Sequence, residues 1–187
     1  MSITMSVRSP LPNLTVKEYL DGELVSDIRH EYIAGQVFAM AGASANHNLI
    51  AGNMYSRLRS HLRGSKCSTF MSDMKVRIQT ADIFYYPDVL VSCDPKDTDD
   101  YCKTQPCLII EVVSRSTATI DLREKLLNYR QIESLKEYIL ISQDRIKIEV
   151  YRQDDQGQWW LETLGKEDEL QLESVGLRIV WRKYMRM

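Results

Sequence analysis

The chain lacks any apolar run long enough to cross a bilayer, so no membrane span is expected among its 187 residues. Its first residues show neither a basic start nor a long apolar core, so a secretory signal is not expected and a cytoplasmic location is. Strong charge of either sign is missing too. The net charge is −2, which gives no global pull toward a polyanion, so nucleic-acid binding would need a local basic groove. The 4 cysteines (Cys67, Cys93, Cys102, Cys107) show no C-x-x-C spacing, and the 3 histidines (His30, His47, His61) add little for zinc. Four free thiols in a reducing cytoplasm are the expectation. Internal repeats and dividing linkers are absent. Residues 15–187 are therefore expected to form a single domain, behind a flexible N-terminal arm of residues 1–14.

Two short apolar runs are present, and each carries one carboxylate. The first is Tyr85-Tyr86-Pro87-Asp88-Val89-Leu90-Val91, the second Cys107-Leu108-Ile109-Ile110-Glu111-Val112-Val113. Their length, Val/Ile content and flanking turn residues describe buried strands. Side chains alternate along a strand, so Ile109, Glu111 and Val113 share one face, and Leu108, Ile110 and Val112 the other. A buried carboxylate without a partner is very costly, so Glu111 must meet a metal, a lysine or an arginine. If the two strands are neighbours, Asp88 and Glu111 point into one pocket and repel unless a cation lies between them. The oxygen-only donor set suits Mg²⁺ or Mn²⁺. The plainer alternative is that Asp88 caps a turn and Glu111 pairs with an arginine.

The rest of the chain reads as alternating helices and strands. Thr15 and Glu18 form a capping box for a short helix, Val16 to Leu20. Glu31 to Ala41 reads as a hairpin turning near Ala34-Gly35, and Glu31 is either a site residue or a partner of Arg29. Ser44 caps a helix to Arg63 whose Ile50, Met54, Leu58 and Leu62 repeat every four residues. Its Arg57, Arg59 and Arg63, with Lys66 beyond, either contact phosphate or form a solvated face. His47, in its first turn, either orients a ligand or caps and packs. Strands are expected at Cys67–Met71, Met74–Gln79, Glu137–Ile141, Ile146–Arg152 and Trp159–Leu164, with a strand or short helix over Val175–Tyr184. The acidic stretch from Asp94 to Thr104 is expected to be solvated and mobile. A helix over 121–132, capped by Asp121, carries Leu122, Leu126 and Tyr129 on its apolar face and Lys125 at the edge of that face. From there Lys125 could reach back over Glu111 or snorkel at the surface. Trp159 and Trp160 point to opposite faces, so one stays partly exposed, as at a homodimer surface.

The blocks “YYPDVLV”, “LIIEVVSRST”, “DLREKLLNYR” and “KEYILIS”, in this order, resemble the Uma-two family of restriction-endonuclease-like proteins. Pro87-Asp88 followed by Glu111 resembles the wider PD-(D/E)XK nuclease superfamily. The resemblance implies an α/β, restriction-endonuclease-like fold with a central mixed β-sheet flanked by helices, and Mg²⁺- or Mn²⁺-dependent hydrolysis of DNA by a dimer. It implies Asp88 and Glu111 as metal ligands, with the Val112 carbonyl completing the set. It also implies Lys125 as the catalytic lysine, Glu31 as an additional acidic member, and a motif match at Asn46-His47. A standard member carries lysine where this chain has Val113; the family tends to move that lysine to the following helix, here Lys125. Two other readings stay open. One is a catalytically silent nuclease-like fold serving nucleic-acid binding or assembly. The other is a metal-free glycosidase with one carboxyl kept protonated.

Overall fold

The computed structural model describes residues 13–114 and 121–180. The expected arm up to residue 12, the link at 115–120 and the end of the C-terminal segment at 181–187 lie outside the described residues, as do the side chains of Asp121 and Leu122. Leu14, within the expected arm, donates its N–H to the Gly35 carbonyl and accepts from the Tyr32 hydroxyl.

The chain opens with α1 (Val16–Glu23), whose Thr15–Glu18 capping box is formed and which runs on through Gly22 instead of stopping at Leu20. Strands β1 (His30–Ile33) and β2 (Gln36–Ala39) make the expected hairpin. Both turn residues are left-handed, Ala34 at φ 46° and Gly35 at φ 94°, the two-residue turn that matches the twist of paired strands. Helix α2 (Ala45–His61) begins at Ser44, whose hydroxyl accepts the His47 N–H. Then come β3 (Ser68–Met71), β4 (Lys75–Ile78), β5 (Ile83–Tyr85), β6 (Val89–Ser92), β7 (Cys102–Lys103) and β8 (Pro106–Val113). Helix α3 (Asp121–Tyr129) leads to β9 (Glu137–Ser142), β10 (Ile148–Gln153) and β11 (Trp159–Leu164). A small hairpin of β12 (Leu170–Leu172) and β13 (Leu177–Ile179) ends the described chain.

The expected central mixed sheet is six-stranded, in the order β11-β10-β9-β8-β6-β3. Only β8 and β9 are parallel, and α3 is the connection between them. A second sheet, β2-β1-β5-β4-β7, was not anticipated. The alternation along β8 sorts residues between two cores. Leu108 and Ile110 pack with Met54, Leu58 and Leu62 of α2 and with the β12–β13 hairpin. Ile109 packs on the other side with Tyr129, Tyr138 and the second sheet's Val76, Ile78 and Tyr85. The chain passes from β5 of one sheet to β6 of the other through Tyr86-Pro87-Asp88. Proline offers no N–H to a ladder, so the segment can leave one sheet and enter the next without an unpaired donor at that step. Asp88 thus stands at the seam between the sheets.

One expectation is overturned and a second is met only in part. Cys67 and Cys93 are not free thiols but a disulfide; Cys102 and Cys107 are free. The antiparallel register of β3 on β6 pairs Ser68 with Ser92, so the next residues outward, Cys67 and Cys93, come opposite each other with Cα atoms 4.0 Å apart. The stretch 94–104 is solvated over most of 94–101, as expected, but it is braced by its own hydrogen bonds. Asp97 accepts N–H bonds from Thr104 and Gln105, and the buried Lys103 ammonium donates to the Asp97 and Asp99 carbonyls. Its end forms β7, which pairs parallel to β4. Trp160 is half-exposed on edge strand β11, while Trp159 packs inward. No helix among the described residues is long and apolar enough to cross a membrane.

Candidate active site at the seam of two sheets

One cavity of about 700 Å³ opens where the two sheets meet. Glu31 and Phe38 of the β1–β2 hairpin line one side, and Asp88, Glu111 and Val112 the other. The first turn of α2 and Lys125 of α3 complete the wall.

Each acidic group arrives for a local reason. The register pairs Val89 with Ile110, so Asp88 and Glu111 are the next residues across that ladder. The Asp88 carboxylate is held from two directions: Oδ2 accepts the Val112 N–H at 2.7 Å, and Oδ1 lies 2.8 Å from His47 Nε2. The turn-capping alternative for Asp88 is therefore not what its side chain does. Glu111 continues the inner face of β8 beyond Ile109 and is buried. Glu31 lies on β1, one residue before Tyr32, which pairs with Phe84 of β5. Arg29 is not its partner, since that guanidinium bonds Asp73 at 3.2 Å. Glu31 Oε1 instead lies 2.6 Å from Lys125 Nζ.

Lys125 is the hub. Its ammonium sits between Glu31 and Glu111, 3.4 Å from Glu111 Oε1, and 5.0 Å from the centre of the Tyr85 ring. The snorkelling alternative fails, because the side chain is only 17% exposed. Tyr129 lies one helical turn beyond Lys125, and its hydroxyl donates to the same Glu111 oxygen at 3.2 Å. Tyr85 is fixed in turn by Asn128, whose side-chain amide donates to its hydroxyl at 2.7 Å.

The electrostatics are unbalanced. Among the described residues, four carboxylates (Glu31, Asp88, Glu111, Glu124) line the cavity against one ammonium and one imidazole. Burial pushes the Glu111 carboxyl up to about 7; Lys125 opposes this, and the Asp88 and Glu31 charges add to it. Burial alone would lower Lys125, but the Glu111 and Glu31 carboxylates outweigh it and hold the ammonium protonated well above its ordinary range. The hydrogen bond to Asp88 raises His47 above its usual value against the opposing effect of burial. A divalent cation would relieve this excess of negative charge. Among the described residues, no three His, Cys, Asp or Glu side chains are gathered as a ready-made cage. A hard cation is commonly held by one or two carboxylates together with carbonyl and substrate oxygens. Asp88, Glu111 and the Val112 carbonyl fit such a role.

All the residues singled out from the sequence line this cavity: Glu31, Asp88, Glu111, Val112 and Lys125. Val113, at the position where a standard motif has lysine, lines it as well but supplies no charge. His47, for which the sequence leaves ligand orientation or capping and packing open, bonds Asp88, a partner not visible in its own segment. Tyr129 was read only as apolar face, and Gln143 was not considered; its carbonyl oxygen accepts from Ser44 Oγ at 2.6 Å beside the cavity.

Comparison with known proteins gives the family and the fold. The family model Uma2, described as “Putative restriction endonuclease”, matches residues 16–181. The chain belongs to the Uma2 family. Two uncharacterised Synechocystis proteins are relatives: slr1290, 36% identical over 94% of this chain and 93% of its own length, and sll1609, 38% identical over 84% and 92%. Among solved structures, a crystal structure described as a putative nuclease belonging to DUF820, from Anabaena variabilis, superposes with a TM-score of 0.75. It is 17% identical, covering 92% of this Uma2 chain and 99% of that one, so the likeness is one of fold.

Proposed function

We propose that this Uma2 protein is a metal-dependent endonuclease that hydrolyses DNA phosphodiester bonds. The observation that carries the reading is the convergence of Glu31, Asp88 and Glu111 on one cavity with Lys125 among them. When bound by Asp88, Glu111 and the Val112 carbonyl, Mg²⁺ or Mn²⁺ supplies Lewis-acid polarisation of the phosphate and makes water acidic enough to deprotonate near neutral pH. The chain's own residues do the rest. Asp88 is held rigidly by Val112 N–H and His47. Lys125 presents a fixed positive charge where negative charge builds up on the phosphoryl oxygens, which stabilises the transition state without reorganisation. Glu31 and Glu111 keep that ammonium aimed into the cavity. Water adds to phosphorus, the bond to the leaving sugar oxygen breaks, and the leaving oxygen takes up a proton.

One observation favours a second reading. Lys125 is already engaged by two carboxylates of its own chain, which suits a catalytically silent nuclease-like fold that binds nucleic acid or assembles. Incubation of plasmid and single-stranded DNA with Mg²⁺, Mn²⁺ or EDTA separates the two. The nuclease reading expects cleavage with either metal, none in EDTA, and a loss of about 10²–10⁴-fold in Asp88→Ala and Lys125→Ala. No cleavage by the wild-type chain, together with no Mn²⁺ binding by calorimetry, would establish the silent fold instead.

A further inference from the structure

We propose that His47 is a positioning residue that tunes the affinity of the site for its metal by clamping Asp88. The inference rests on the metal-dependent reading above and deepens it. Nothing in the sequence near His47 points to Asp88, which lies 41 positions away. A carboxylate only accepts, so the Nε2 that stands 2.8 Å from Asp88 Oδ1 carries the proton. The opposite oxygen accepts the Val112 N–H at 2.7 Å. Each oxygen thereby uses one lone pair in holding the carboxylate plane and keeps another for a cation.

The backbone that carries the imidazole is itself held in place. Ser44 Oγ accepts the His47 N–H at 3.1 Å and donates to Gln143 Oε1 at 2.6 Å. Gln143 in turn donates its N–H to the Val113 carbonyl at 2.9 Å, at the end of the strand that carries Glu111. Further along α2, Met54, Leu58 and Leu62 pack on Val89, Val91, Leu108 and Ile110, the same two strands that carry the acidic pair. The helix is therefore keyed to β6 and β8 at both ends. The distance from His47 to Asp88 is a built property of the fold. Partners that orient a ligating side chain typically carry 10–100-fold in metal affinity.

The test is Mn²⁺ titration of the full chain by calorimetry, for wild type, His47→Ala, His47→Asn and His47→Gln, with thermal melting to establish folding and Asp88→Ala as the control. The expected result is a loss of at least tenfold in Mn²⁺ affinity for His47→Ala. Recovery of most of it is expected in whichever amide variant brings its N–H₂ to Asp88, with melting temperatures unchanged. Should His47→Ala fail to fold, the difference between the Asn and Gln variants carries the test. Wild-type affinity in every folded His47 variant overturns the inference while leaving the metal site intact. A loss that neither amide recovers also overturns it, because the hydrogen bond would then not be the cause. Failure of the wild-type chain to bind Mn²⁺ removes the metal-dependent reading and this inference together.

Discussion

Two groups of buried charge sit at opposite ends of the six-stranded sheet, and they are built on different terms. Where β9 begins, Glu137 is met from every side: Arg152 Nε donates at 3.1 Å, the Glu173 and Ser174 N–H groups at 3.1 and 2.9 Å, and the Ser174 hydroxyl as well. Arg152 spends its remaining donors on Glu162 and the Gln171 carbonyl and stacks its guanidinium on Trp160. This cluster pins the β12–β13 hairpin to the sheet and does not line the cavity. Where β8 and β9 end, Glu31 and Glu111 share the Lys125 ammonium, Asp88 is held by His47 and the Val112 N–H, and all three carboxylates face about 700 Å³ of open space. The first arrangement leaves its charges paired within the chain, and the second leaves a surplus of one sign facing a cavity, which is what the proposed cation-binding role requires.

The sharpest way to break the comparison is to remove the cation from each cluster. Arg152→Ala leaves Glu137 buried and ionised among donors that cannot replace a guanidinium. A loss of about 3–5 kcal/mol is expected in urea unfolding, with metal binding of the surviving folded fraction unchanged. Lys125→Ala is expected to cost less, about 1–2 kcal/mol, because Glu111 can take up a proton instead of standing as a bare buried charge. Equal losses from the two variants would erase the distinction.

The open end of this contrast was partly legible in the sequence; the Glu137–Arg152 cluster was not, and the missing parts share a cause. A lone Glu111 inside an apolar strand demanded a cation, and strand alternation placed it on the face with Ile109; both follow from local chemistry. The Thr15–Glu18 box and the four-residue repeat of α2 are local in the same sense. The second sheet, the His47–Asp88 bond and the Cys67–Cys93 disulfide depend on which strands become neighbours and in what register, and no short window of residues encodes that. The aspartates of 94–104 are mostly exposed, as a spacing that matches no calcium loop suggests, but they are not free. What orders them is Lys103, a cation from their own segment folded back underneath.

The disulfide bears on the open end from a distance. Cys93 closes β6, the strand that begins just after Asp88, and Cys67 opens β3 after α2, the helix that carries His47. For cysteines separated by 26 residues, chain entropy predicts a loss of about 3 kcal/mol when the bridge is removed. Cys67→Ser/Cys93→Ser is therefore expected to lower the unfolding midpoint while leaving Mn²⁺ affinity within about threefold, since the side-chain contacts at the cavity do not involve either cysteine. A bridge of this kind sits uneasily with the reducing compartment expected from the sequence. A free-thiol assay on protein purified without reductant, expected to find Cys102 and Cys107 alone, addresses that directly.

A finer test uses pH in the metal-free protein. The folded-state pKa of Glu111 lies at about 7, above its ordinary 4.5, so between those values the folded chain binds more protons than the unfolded one. Stability must then fall as pH rises through that window and level off above it for this group. His47, raised above its usual 6.5, acts in the same direction at the upper end. Unfolding in EDTA is expected to lose on the order of 1–2 kcal/mol between pH 5 and 8, and Mg²⁺ at millimolar concentration to flatten the decline. A flat or rising profile in EDTA would remove the charge surplus from the account.

Glu31→Gln and Glu162→Gln make the smallest and most discriminating pair. Each removes one carboxylate that contacts a buried cation, Lys125 or Arg152. Both are expected to change stability at pH 7 by less than about 1 kcal/mol, since Glu162 is partly exposed and Glu31 trades attraction to Lys125 against repulsion from Glu111. They should part company in the pH profile. With Glu31 neutral, one of the two charges that push Glu111 upward is gone, so the fall in stability still begins near the ordinary carboxylate range but ends at lower pH. Glu162→Gln leaves that window where it was, because the cluster around Arg152 exchanges no charge with the cavity. Matching shifts in both variants would mean that the two ends of the sheet act as a single electrostatic unit, and that the surplus at the cavity belongs to the whole molecule instead of to its site.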